Sequence, residues 1–142
     1  MKSPIQNTIF AGIAGTIVMT IIMFLAPLMG FPKMNAAEML SSMMDFPILV
    51  GWTMHFMIGI VFALSYSFIF LRVVKIENVI AKGALFGFGV FIFAQIMMAV
   101  MGAIVGSMPP PEGGMALLIL GSMIGHIMYG IPVAIVVQSQ LA

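Results

Sequence analysis

Four apolar stretches, each long enough to cross a bilayer, decide what this chain can fold into. They run over residues 5–29, 48–71, 79–105 and 115–137, and a spanning helix needs about 20 apolar residues. The chain of 142 residues is 63% hydrophobic and only 6% charged. An ordinary soluble domain carries about 25% charged residues. The sequence therefore predicts an all-α membrane protein with four transmembrane helices, forming a single integral-membrane domain over residues 1–142 with nothing left for a soluble one. A net charge of +1 gives no reason to propose nucleic-acid binding. The absence of cysteine excludes disulfides and thiolate metal sites. The first apolar run follows Lys2 but is longer than a signal-peptide core, so it is expected to be a retained helix.

Lys and Arg set the expected orientation. Lys2, Arg72, Lys75 and Lys82 flank the N-terminus and the second loop, whereas the first loop holds only Lys33 and the third holds none. Both termini and the second loop are expected on the cytoplasmic side. The first and third loops, with Glu38, Asp45 and Glu112, are expected outside.

Local signals refine the spans. Pro27 and Gly30-Phe31-Pro32 should end the first helix. Asn35 and Glu38 have capping-box-like spacing. Beyond them Met39, Leu40, Met43 and Met44 make an apolar face and Glu38, Ser41, Ser42 and Asp45 a polar one, so a short interfacial helix is expected in the first outer loop. Pro47 should start the second span, Gln95 should bond between helices, and Pro132 should kink the fourth span or loosen it one turn earlier. The stretch Pro109-Pro110-Pro111 should be extended.

One pattern occurs twice. Gly51, His55 and Gly59 stand four residues apart, as do Ser122, His126 and Gly130, and these are the only two histidines. On a helix such positions share one face. The offset of 71 that relates His55 to His126 also relates Asn7 to Asn78, Gly12 to Gly83, Met57 to Met128 and Gly59 to Gly130. Residues 5–64 laid on 76–135 without gaps give thirteen identities in sixty pairs, where composition alone gives roughly five. The expected architecture is two parallel two-helix repeats about an axis along the membrane normal. It would place the histidines at equal depth, able to face each other.

Several of these segments resemble the YagU-type and related uncharacterised families of small bacterial inner-membrane proteins. The resemblance lies in Gly12-Ile13-Ala14-Gly15-Thr16, His55-Phe56-Met57-Ile58-Gly59, Lys82-Gly83-Ala84-Leu85-Phe86-Gly87, the three prolines, and His126-Ile127-Met128-Tyr129-Gly130. It implies a four-helix protein of the bacterial inner membrane and brings no established activity.

An ionisable residue inside a membrane is a functional hypothesis by default. One reading makes His55 and His126 the axial ligands of a haem b, with Gly51, Gly59 and Gly130 leaving room for the macrocycle edge, in an electron-transfer or respiratory accessory subunit. A second makes the histidines bridges between helices in a noncatalytic structural or assembly subunit. A third is Cu(I) binding through His55/Met57 and His126/Met128, although positions i and i+2 point to different faces. A fourth is a small transporter. No residue is singled out as catalytic: all four carboxylates lie in loops, and no serine motif accompanies a histidine. Besides the lipid bilayer, the small-residue stripes make a homo-oligomer or a larger membrane complex plausible partners.

Overall fold

The structure is a computed structural model that describes residues 4–106 and 113–139. Its helices are α1 (Pro4–Leu25), α2 (Ala36–Met44), α3 (Ile48–Val73), α4 (Val79–Val105) and α5 (Met115–Gln138). Among the described residues there are no strands. Helices α1 (with the 3-10 turn Ala26–Met29), α3, α4 and α5 are each long and apolar enough to cross a membrane. Exposed large apolar side chains, such as Phe10, Ile17 and Ile21 on α1 and Ile92, Ile96 and Val100 on α4, suit a lipid surround. The third apolar run begins and ends where the sequence places it, and the other three differ by two residues or fewer. The three-proline stretch lies outside the described residues.

The helix ends follow the local chemistry. The first span closes in the turn Ala26–Met29, and Gly30 adopts the left-handed conformation with φ 86°, which costs a residue without a Cβ little. Asn35 caps α2 as expected: its side-chain oxygen accepts from the backbone N–H of Ala37 at 3.1 Å and of Glu38 at 3.2 Å. Asn78 caps α4 by accepting from Ala81 N–H at 3.0 Å. Helix α5 runs without interruption through Pro132. Helix α3 changes pitch to a π turn over Tyr66–Phe70, a feature that no residue of that stretch announces.

Helices α1 and α5 form the middle of the bundle. Helix α1 packs on α3 and on α5, α5 packs on α4, and α2 lies across the start of α3. Three seams are tight because glycine lets backbones meet. A Cβ built on Gly12 would stand 2.7 Å from the Cα of Ile60 and 3.1 Å from the Cβ of Ala63. One built on Gly83 would stand 2.8 Å from both the Cα of Ile131 and the Cβ of Ala134. Between α1 and α5, Gly15 faces Tyr129 and Val133. The α1–α3 and α4–α5 contacts thus pair residues separated by 71 positions: Gly12 with Gly83, Ile60 with Ile131, and Ala63 with Ala134. The fourth seam, α3 with α4, is propped by rings instead. Phe62 meets Phe93 at 5.5 Å between centroids, and Phe86 meets Tyr66 at 4.9 Å and Phe70 at 5.1 Å. Apolar burial gives little drive between helices in lipid, so close packing of this kind and interhelical hydrogen bonds hold the bundle.

Polar bonds fasten the end of the bundle that carries the termini. Thr8 Oγ1 donates to the Pro4 carbonyl at 2.9 Å and accepts from Ser67 Oγ at 2.8 Å. Gln138 Nε2 donates to the Tyr66 hydroxyl at 2.6 Å. In mid-bundle the Tyr129 hydroxyl donates to the Gly59 carbonyl, tying α5 to α3.

Candidate functional site

Each histidine sits on the small-residue stripe that the sequence indicates, and the structure shows what fills the space beside it. Gly51 is covered by α2, where the Ala37 carbonyl and Ser41 stand against it. Gly59 is covered by Thr16 of α1, and Gly130 by Gly83 and Gly87 of α4. These three glycines, expected to make room for the edge of a macrocycle, are instead occupied by neighbouring chain. The cavity at His55 has a volume of about 10 Å³, room for about one water-sized probe. Close contact of chain with chain takes up the clearance beside all three glycines.

The histidines are held in different ways. His55 is buried, and its Nε2 lies 3.2 Å from Thr20 Oγ1 on α1. The Thr20 hydroxyl has one proton and gives it to the Thr16 carbonyl at 2.7 Å. It therefore accepts from His55, whose Nε2 carries the hydrogen. His126 Nδ1 lies 2.7 Å from the carbonyl of Ser122 on its own helix. A carbonyl can only accept, so there Nδ1 carries the hydrogen. In the neutral rings the free lone pair is on Nδ1 of His55 and on Nε2 of His126. Each ring faces a different helix. His126 lies edge-on to Phe91 of α4 at 6.1 Å between centroids, where His55 has Thr20. Phe91 and Thr20 are also 71 positions apart.

Gln95 makes its interhelical bond, donating through Nε2 to Ser122 Oγ at 3.4 Å. In the first His-x-Met pair the side chains part: Met57 is 60% exposed while His55 is buried. The sequence does not announce the side chains that surround His55, Thr20 of α1 among them. Met34 and Asn35 come from the segment leading into α2 and reach the His55 cavity together with Met23, Phe24 and Trp52. Among the described residues no three His, Asp or Glu side chains come together as a metal-binding group.

A bundle of four apolar, membrane-spanning helices with a short capping helix and two histidine-bearing small-residue stripes defines a small integral membrane protein. Residues 3–140 match the model of a family of unknown function, DUF6789. The chain belongs to that family. The match supports an uncharacterised family and does not carry the finer YagU-type assignment. No curated protein and no solved structure matches the chain.

Proposed function

We propose that this protein is a noncatalytic structural membrane subunit whose two histidine-centred stripes are helix-packing elements. The observation that carries this reading is the use made of the glycines. Gly51, Gly59 and Gly130 are all spent on close approach of another segment of the chain, which is how small residues serve membrane helices. The His55–Thr20 bond between α3 and α1 adds an interhelical tie of the same kind. The matched contacts at an offset of 71 support an origin as two parallel repeats over about 5–64 and 76–135. The asymmetric distribution of Lys and Arg supports termini on the cytoplasmic side, and the resemblance of the sequence motifs to small bacterial proteins supports an inner membrane. Such a subunit would act by presenting a rigid apolar surface to a larger membrane assembly or to further copies of itself.

The test is an oxidised and dithionite-reduced absorption spectrum of the protein purified gently from its native membrane. A colourless protein, with no haem on extraction, is expected. A Soret band with sharp reduced α and β bands, lost in both His55→Ala and His126→Ala, would overturn the structural reading.

A further inference from the structure

The cavity beside His55 gathers side chains that carry nitrogen and sulfur from three parts of the chain. Helix α1 brings Thr20 and Met23, the segment before α2 brings Met34, and α3 brings Trp52 and His55. The bond to Thr20 fixes the imidazole with its hydrogen on Nε2 and leaves the Nδ1 lone pair free. Metal-binding imidazoles are held in this way, one ring N–H donated to a neighbour and the other nitrogen left for the ion.

Two thioethers lie close by. Met23 and Met34 are each 8% exposed, and both rest on one stretch of α5. A Cβ on Gly121 would stand 3.2 Å from Met34 Sδ, and one on Gly125 would stand 3.7 Å from Met23 Sδ. Those two positions are one helical turn apart, with Cβ sites about 6 Å from each other. The Trp52 ring lies 6.1 Å from the His55 ring, centroid to centroid, and is stacked on Phe24 at 6.2 Å. A second cavity of about 220 Å³, lined also by Pro27 and Lys33, shares Met23, Phe24, Met34 and Asn35 with the first. It offers a way in from the α2 end of the bundle.

The chemistry of this donor set selects its ligand. Thioether and imidazole suit Cu(I), whereas carboxylate and carbonyl oxygens suit Mg²⁺ or Ca²⁺. An indole face within about 6 Å stabilises a cation further. We propose that this cavity is a Cu(I) site, with His55 Nδ1 and the sulfurs of Met23 and Met34 as ligands and Trp52 flanking the ion. Each methionine has three rotatable bonds, so the sulfurs can close on the ion without moving the helices. This set spans α1, the segment before α2, and α3, and it does not use the His-x-Met pairs. It uses the nitrogen that the interhelical bond leaves free, so it adds to the structural reading and does not depend on it. The ion enters and leaves as Cu(I), and no electron transfer is involved.

The chain has a single tryptophan and no cysteine, so Trp52 emission reports on the cavity and no thiol competes for the metal. The full-length protein in detergent micelles is titrated anaerobically with Cu(I) against the chelator bathocuproine disulfonate. One Cu(I) per chain and quenching of Trp52 are expected. Met23→Leu and Met34→Leu should each weaken retention tenfold or more, as should His55→Gln. Met57→Leu and Met128→Leu should leave it unchanged. Methionine-to-leucine changes conserve volume, and gel filtration with circular dichroism confirms that the variants are folded. Failure to hold Cu(I) against the chelator would overturn the proposal. So would retention that survives Met23→Leu together with Met34→Leu, or loss that is as large in Met57→Leu.

Discussion

Two glycines of α4, two residues apart, should respond to alanine in opposite directions. At Gly87 the added Cβ would stand 2.7 Å from the Cα of Ile127 and 2.9 Å from the carbonyl carbon of His126. Ordinary contact begins near 3.4 Å, and both obstacles are backbone of α5, which no rotamer change can move aside. Helices α4 and α5 must separate by several tenths of an ångström along the seam where His126 sits. Overpacking of this sort costs about 1–3 kcal/mol, and the rigidity of the obstacles puts Gly87→Ala at about 2–3. That corresponds to roughly 30- to 150-fold in the unfolding equilibrium, since 1.4 kcal/mol is about tenfold. Gly89 has nothing within 4 Å, so Gly89→Ala gains helix propensity worth up to about 1 kcal/mol and meets no neighbour. Reversible unfolding of the detergent-solubilised protein by sodium dodecyl sulfate, followed by circular dichroism, measures both. Equal losses at the two positions, or a stabilised Gly87→Ala, would refute the reasoning that these glycines are helix seams.

Other expectations concern the polar ties. Thr20→Val removes the acceptor of His55 Nε2–H and should cost about 0.6–1.5 kcal/mol in the same unfolding assay, with Thr20→Ser restoring most of it. Tyr129→Phe deletes the bond to the Gly59 carbonyl between α5 and α3, and about 1 kcal/mol should be lost with the helical circular dichroism unchanged. Asn35→Ala removes the cap of α2, at a cost of about 1 kcal/mol of local stability; faster amide exchange over Ala36–Met44 than in the parent would show it, and an unchanged rate would count against the cap.

The spans were legible because length and composition leave so few alternatives: 25 consecutive residues such as 5–29 without a charge cannot be placed in water. The α2 helix was legible through Asn35, whose cap is local chemistry. The histidine stripes were legible as faces, but what filled them was not. A glycine four residues from a histidine permits a cofactor or another backbone equally well, and the choice rests on the partner helix. Here Thr16 stands beside Gly59 and Gly87 beside Gly130, neither of which the stripe itself foretells. The aromatic prop between α3 and α4 and the bond from Gln138 to Tyr66 join residues remote in the chain, with no periodicity to announce them. Met23 and Met34 were hidden for a different reason: with 17 methionines along the chain, no pair stands out until the fold brings them to one cavity.

Paired cysteines test most directly whether the histidine-bearing helices are closed against their neighbours. In this cysteine-free chain, Gly12→Cys with Ala63→Cys spans the α1–α3 seam, and Gly83→Cys with Ala134→Cys spans the α4–α5 seam. An added Cβ at Gly12 lies 3.1 Å from the Cβ of Ala63, and one at Gly83 lies 2.8 Å from that of Ala134. A disulfide needs about 3.5–4.5 Å, so a small relaxation brings each pair into range. Mild oxidation in native membranes should cross-link both matched pairs within one chain, and should leave the exchanged pair of Gly12→Cys with Ala134→Cys unlinked. If neither matched pair closes, or if the exchanged pair closes as readily, the glycine seams are not where the structure puts them, and the case for the histidines as packing elements fails.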